Sequence, residues 1–281
     1  MPWQTTRFDL DLSRPLVMGI VNATPDSFSD GGRYDDAKAA IAHAERLVSA
    51  GADILDVGGE STRPGAQVVP AEQELSRLVP VLQELLCWQI PISVDTYKPE
   101  VMHAVLDLGI DIVNDIWALR QPGALAAVAP HPRCGVCLMH MHRDPQTMQL
   151  HPMQGNVVAA VIDFLQERVT ALEDVGIASS RLVLDPGIGF GKTVQQNFQL
   201  LAGQDQLLSL DLPILAGWSR KSSLGAVLAR AGQTPAADQR QFASVAAALL
   251  AVERGAAIVR VHDVKETVDA LKVWQAVRDS S

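Results

Sequence analysis

Only 5% of the residues are aromatic, and the longest apolar stretch, Ala243 to Val252 broken by Ser244, falls far short of the roughly 20 residues a membrane-spanning helix needs. There are only three cysteines, Cys87, Cys134 and Cys137, so they cannot all pair within the chain and no disulfide framework is implied. Basic residues are in the minority, with 23 Lys and Arg against 32 Asp and Glu and a formal charge of −9. That balance argues against nucleic acid and anionic membranes as partners. The opening segment MPWQTTRFDLDLSRP lacks the apolar centre of a signal peptide, so a cytoplasmic location is expected. No Ser/Gly-rich linker, charge run or low-complexity segment divides the chain, which predicts one domain over residues 1–281. With 48% hydrophobic and 20% charged residues, that domain has material for a large core.

Short aliphatic and β-branched runs recur along the chain. They are Leu16–Val21, Ile54–Val57, Ile92–Val94, Ile110–Val113, Val136–Met139, Leu182–Leu184, Ile214–Ala216 and Ile258–Val261. Between them lie segments with helical periodicity, namely Asp35–Ala50, Glu72–Leu86, Pro99–Leu108, Asn156–Val175, Gln195–Leu208 and Glu266–Val277. Ala231–Asp238 interrupts the seventh helical region. Continuously apolar strands suit a parallel sheet covered by helices, and eight strand-then-helix units predict an α/β fold, a (β/α)8 TIM barrel. A doubly wound open sheet is the alternative.

Each strand is followed by a polar cluster: NATPDSFSDGG, DVGGESTRPG, SVDT, VNDIW, LMHMH, LDPGIGFGKT, GWSRKSS and RVHD. In a barrel these C-terminal strand ends meet on one rim, where such folds carry their active sites. The rim is predicted to gather Asn22, Asp56, Asp95, Asn114, Asp185, Arg220, Lys221, Arg260 and His262, with Arg33 and Arg63 on two loops. Cations concentrated there despite an acidic total point to an anionic small molecule. Asp95, Asn114 and Asp185 offer two carboxylates and an amide to a flat, donor-rich heterocycle.

Three tempting motifs are set aside. DPGIGFGKT has Pro186 where a phosphate-binding P-loop needs its first glycine, and its glycine spacing is not that of a dinucleotide site. The glycines instead predict a close-approaching loop. In HPRCGVCLMHMH, residues His131, Cys134, Cys137, His140 and His142 suggest zinc, but the odd offset between the cysteines directs them to opposite faces of a strand. GWSRK lacks the second glycine of a nucleophile elbow, and Ser219 has no base beside it in sequence.

The motifs MGIVNATPDSFSDGG, DVGGESTRPGA, SVDTYKP, VNDI, MHM, LDPGIGFGKT, SRKS and RVHDV occur in that order from Met18 to Val264. Together they resemble the dihydropteroate synthase family. The resemblance implies a pterin-binding barrel that condenses 6-hydroxymethyl-7,8-dihydropterin diphosphate with 4-aminobenzoate, giving 7,8-dihydropteroate and diphosphate. It implies Mg2+ as cofactor, with Asn22 at the metal and diphosphate site. Asp95, Asn114, Met139, Asp185, Gly217 and Lys221 are the implied pterin-binding residues. Arg63, Arg260 and His262 join Asn22 on the diphosphate, and Asp95, Lys221, Arg260 and His262 form the implied catalytic set. For 4-aminobenzoate it implies Thr62, Arg63, Pro64, Phe190, Lys221 and Ser222, and the loops Asp26–Gly32 and Glu60–Gln67 are expected to close over substrate. An SN1-like path is expected, with Asp95 stabilising the cation left when diphosphate departs. Sulfonamides are implied as competitive inhibitors, and a homodimer as the assembly.

The sequence departs from the family pattern at Ala23, at His142 and Arg143 after MHM, and at Trp218 before SRKS. Trp218 is expected to pack at the rim on the 4-aminobenzoate side. A catalytically silent pterin-binding protein and a pterin-dependent methyltransferase barrel are the other readings. The presence of Asn22, Arg63, Lys221, Arg260 and His262 weakens the first, and the SRKS and RVHD cations are unexplained by the second.

Overall fold

A computed structural model describes residues 2–24, 33–61 and 66–280. Ten strands run in chain order: β1 (Trp3–Gln4), β2 (Asp9–Leu10), β3 (Leu16–Asn22), β4 (Ile54–Gly58), β5 (Ile92–Asp95), β6 (Ile112–Asp115), β7 (Gly135–Met139), β8 (Leu182–Asp185), β9 (Ile214–Ala216) and β10 (Ala256–Val261). The helices are α1 (Arg33–Ser49), α2 (Ala71–Leu85), α3 (Pro99–Leu108), α4 (Ala124–Val128), α5 (Val157–Glu173), α6 (Val194–Ala202), α7 (Ser222–Leu228), α8 (Gln241–Glu253) and α9 (Val264–Arg278). Strands β3 to β10 close into one parallel barrel in sequential order, with β10 pairing both β9 and β3. The open-sheet alternative is thereby excluded.

All eight predicted runs are barrel strands, because both faces of each are buried. Outward residues such as Val17, Leu55, Val94, Val136 and Leu184 form the layer between sheet and helices. Inward residues such as Met18, Ile54, Ile112, Cys137, Val183, Leu215 and Ile258 fill the barrel itself. Cys134 belongs to the outer layer and Cys137 to the inner one, as the odd offset requires. The predicted helix Gln195–Leu208 is two elements, α6 and a 3-10 turn over Gln204–Leu210, and the predicted strand Ile110–Val113 starts two residues later. Residues 231–238 do separate α7 from α8.

Sequence reading missed the two-residue strands β1 and β2, which pair as an antiparallel ribbon across the barrel's N-terminal mouth. Trp3, 1% exposed, joins the inner core and donates its indole N–H to the Arg181 carbonyl at 2.8 Å. The buried Arg181 in turn donates to the Cys134 carbonyl. The bottom of the barrel is plugged, and its top is left for chemistry. Among the described residues no helix is long and apolar enough to cross a membrane.

Candidate active site

A cavity of about 350 Å³ opens at the C-terminal ends of the strands. Strand register puts Asn22, Gly58, Asp95 and Asn114 side by side on four neighbouring strands, so their inward side chains form one row of the wall. Met139 and Asp185 pair in the same way between β7 and β8. Gly217, Ser219, Lys221, Ser222, Arg260, His262 and Phe190 are among the other lining residues. The predicted site residues Asn22, Asp95, Asn114, Met139, Asp185, Phe190, Gly217, Lys221, Ser222, Arg260 and His262 thus surround one space. Thr62, Arg63, Pro64, the side chain of Arg33 and the segment 26–32 lie outside the described residues.

The floor of the cavity is an ion-pair network. Arg260 Nε donates to Asp56 Oδ2 at 2.6 Å, and its Nη2 donates to Asp95 Oδ2 at 2.9 Å. Burial alone would lower the arginine's pKa, but the two carboxylates carry it above its ordinary value. Burial pushes the Asp95 carboxyl up to about 7, with Arg260 opposing and Asp56 reinforcing the rise. Its Oδ1 is buried and has no hydrogen-bond partner among the described residues, an acceptor left unsatisfied. Asp185 is also raised by burial, against the N–H of Gly187 and the charge of Lys221. Two buried acceptors beside an arginine and a lysine suit a ligand that is donor-rich on one edge and anionic on another.

The β8–α6 loop is shaped by what the GKT of its sequence does. Thr193 caps α6, accepting from Gln196 N at 3.1 Å while its own N–H donates to Gln196 Oε1 at 2.9 Å. Lys192 is buried and donates to the carbonyls of Gly187 at 2.8 Å and Phe190 at 3.1 Å. Gly187 has φ +68°, and a Cβ there would lie 1.8 Å from the His140 carbonyl oxygen, so only glycine fits. Gly189, φ +86°, lets the Lys221 stem lie against the loop. Lys221 then places its ammonium 4.5 Å from the centroid of the Phe190 ring.

Lys221 is set by its neighbour. Arg220 adopts φ +59°, a conformation disfavoured for a side chain with Cβ. It is held there by its N–H to Ser244 Oγ at 2.9 Å and by Arg240 Nη1 to its carbonyl at 3.0 Å. The Arg220 guanidinium pairs with Asp263 at 2.6 Å.

Three expectations are corrected. Asp56 is not a rim residue: it lies one inward position below Gly58, fully shielded, under Arg260. Trp218 does not face the cavity, because Gly217 points inward and the next residue must point out; it is 1% exposed and stacks on Phe198 of α6 at 5.3 Å. Arg220 does line the cavity, as expected of a rim residue, with its guanidinium also paired to Asp263. Ser219 does have a base nearby, since His262 Nδ1 lies 3.0 Å from its Oγ. That oxygen also accepts the His262 backbone N–H at 3.1 Å, so the hydroxyl orients the imidazole rather than serving as a nucleophile. Met148, Gln149 and Arg240 also line the cavity; they come from long connections and carry no local sequence signal.

A family model described as pterin binding enzyme matches residues 18–262. The dihydropteroate synthase of Neisseria meningitidis serogroup C is 50% identical over 278 residues, covering 98% of this chain and 97% of its own. The chain belongs to the dihydropteroate synthase family. Two solved members resemble it along its length. The Xanthomonas albilineans dihydropteroate synthase with 4-aminobenzoic acid is 52% identical, with a TM-score of 0.91 and 99% of each chain covered. The Yersinia pestis dihydropteroate synthase in a sulfonamide drug complex is 45% identical, with a TM-score of 0.92, covering 99% of this chain and 100% of that one.

Proposed function

We propose that this chain joins 6-hydroxymethyl-7,8-dihydropterin diphosphate to 4-aminobenzoate, forming 7,8-dihydropteroate and releasing diphosphate. The observation that carries the reading is the meeting of Asp95, Asn114 and Asp185 with Lys221 and the half-buried Arg260 in one cavity. The acceptors suit the ring N–H and amino groups of a pterin, with Met139 and Gly217 flanking the ring and Lys221 reaching its carbonyl side. Arg260, His262 and Asn22 suit the diphosphate, and the family resemblance adds Arg63.

The chemistry asked of the protein is modest. As diphosphate leaves the methylene, positive charge spreads into the dihydropterin ring, and the ionised Asp95 stabilises it in an SN1-like path. The arylamine of 4-aminobenzoate is already neutral and attacks without a strong base, so positioning contributes the rest. Phe190 on the cavity wall offers a face to its ring, and Ser222 and Lys221 suit its carboxylate, while Thr62, Arg63 and Pro64 are added to this subsite by the family resemblance. Sulfonamides compete for that position, which the sulfonamide-bound relative from Yersinia pestis supports.

Mg2+ belongs to the proposal. Asn22, on the cavity wall, would hold such an ion through its amide oxygen, the kind of hard donor that magnesium takes. When bound it offsets charge on the leaving diphosphate. A cytoplasmic homodimer is part of the same reading and rests on the family resemblance.

The test is to supply both substrates to the purified protein, with magnesium or with a chelator, and follow dihydropteroate and diphosphate. Equal release of both products is expected, reduced by the chelator. Binding of the pterin diphosphate with neither product formed overturns the reading in favour of a silent binder.

A further inference from the structure

Asp56 carries no substrate-binding role above, yet it is the most connected carboxylate under the cavity. Register sets it beside Ser93 on β5, and Ser93 Oγ donates to its Oδ1 at 2.6 Å. Its Oδ2 accepts Arg260 Nε at 2.6 Å and Asn114 Nδ2 at 3.2 Å. The side chain is fully shielded from solvent, so these three donors meet it without competition from bulk water.

A carboxylate only accepts, and that fact decides the orientation of both neighbours. The planar amide of Asn114 must turn its nitrogen to Asp56, which turns its oxygen away from Asp56. The guanidinium of Arg260, held at Nε, has its plane fixed, and its Nη2 then reaches Asp95. We infer that Asp56 is a positioning residue for the reaction, setting the amide orientation of Asn114 and the guanidinium plane of Arg260. It thereby selects the hydrogen-bond pattern of the ring that the site accepts. This rests on the proposed function in taking that ring to be a pterin.

An asparagine at this position is the informative change. It has one acceptor oxygen for three donors, and its own amide N–H groups must face one of them. In full-length Asp56→Asn we expect the dissociation constant and KM of the pterin diphosphate to rise, and kcat to fall, by at least about 10-fold each, with the 4-aminobenzoate KM within about 2-fold of wild type. A merely structural role lowers kcat through the active fraction and leaves both KM values unchanged; that result overturns the inference. If Asp56→Asn does not fold, Ser93→Ala decides, since it frees one side of Asp56 only. A rise of about 3-fold in the pterin diphosphate KM supports the inference, and an unchanged value refutes it. Wild-type protein run alongside separates the two claims: if it binds the pterin diphosphate without forming dihydropteroate, the proposed reaction fails, and Asp56 is judged on the dissociation constants alone.

Discussion

Lys192 Nζ lies 2.8 Å from His140 Nδ1, with both residues buried beneath the β8–α6 loop. The lysine holds the loop from inside by donating to the carbonyls of Gly187 and Phe190. Burial lowers its pKa to about 7, with Asp185 opposing the fall. Lys192→Met leaves four acceptors, His140 Nδ1 and the carbonyls of His140, Gly187 and Phe190, without their donor. We expect it to cost roughly 3 kcal/mol in denaturant unfolding and to raise the 4-aminobenzoate KM through a displaced Phe190. Wild-type values for both would show that the loop is held by other contacts.

His140 gives this enzyme an acid weakness. Burial, then the neighbouring Lys192, lowers its pKa from 6.5 to about 2. Below 6.5 the unfolded chain takes up a proton that the folded one refuses, so stability is full above that pH and is lost as pH falls toward 2. The loss approaches about 1.4 kcal/mol per pH unit. Unfolding free energies measured at pH 7 and pH 5 should fall more in wild type than in His140→Gln. Parallel losses would place the acid sensitivity elsewhere.

The carboxyl of Asp95, pushed up to about 7 by burial, sets a second pH dependence. In the proposed mechanism its ionised form accepts from the ring and stabilises the cation, so kcat/KM for the pterin diphosphate is expected to fall as pH drops through about 7. Asp95→Asn should keep little activity and lose that acid limb. An activity level from pH 5.5 to 8 in wild type would remove Asp95's charge from the mechanism.

The two substrates have separable walls. Asp185→Ala removes a buried acceptor and should raise the KM of the pterin diphosphate by about 100-fold while sparing 4-aminobenzoate. Ser222→Ala should raise the 4-aminobenzoate KM by about 5-fold and leave the pterin diphosphate unaffected. Steady-state kinetics with each substrate varied in turn checks both. Equal small effects on the two substrates from either change would count against the division.

The barrel was legible in the sequence because burial on both faces leaves continuous apolar runs, and because each run ends in a polar cluster. Eleven of the predicted site residues lie around one cavity for that reason. Depth was not legible. Asp56 and Gly58 point the same way, and only the pairing of β4 with β5 shows which of them reaches the cavity. The outward direction of Trp218 was available from strand parity, given an inward Gly217, but its size drew attention to the rim instead. The GKT of the sixth cluster imitates a phosphate motif, whereas its lysine and threonine hold a loop and cap a helix. The ribbon of β1 and β2 is too short to show a period, so only tertiary contact reveals it.

That ribbon also bears on how the chain is made. Trp3 is synthesised 178 residues before Arg181, whose carbonyl its indole N–H meets. The ribbon that plugs the barrel floor can pair with itself early, but its indole anchor must wait while those residues are made, and the lower end seals only once the Arg181 carbonyl at the start of β8 is in place.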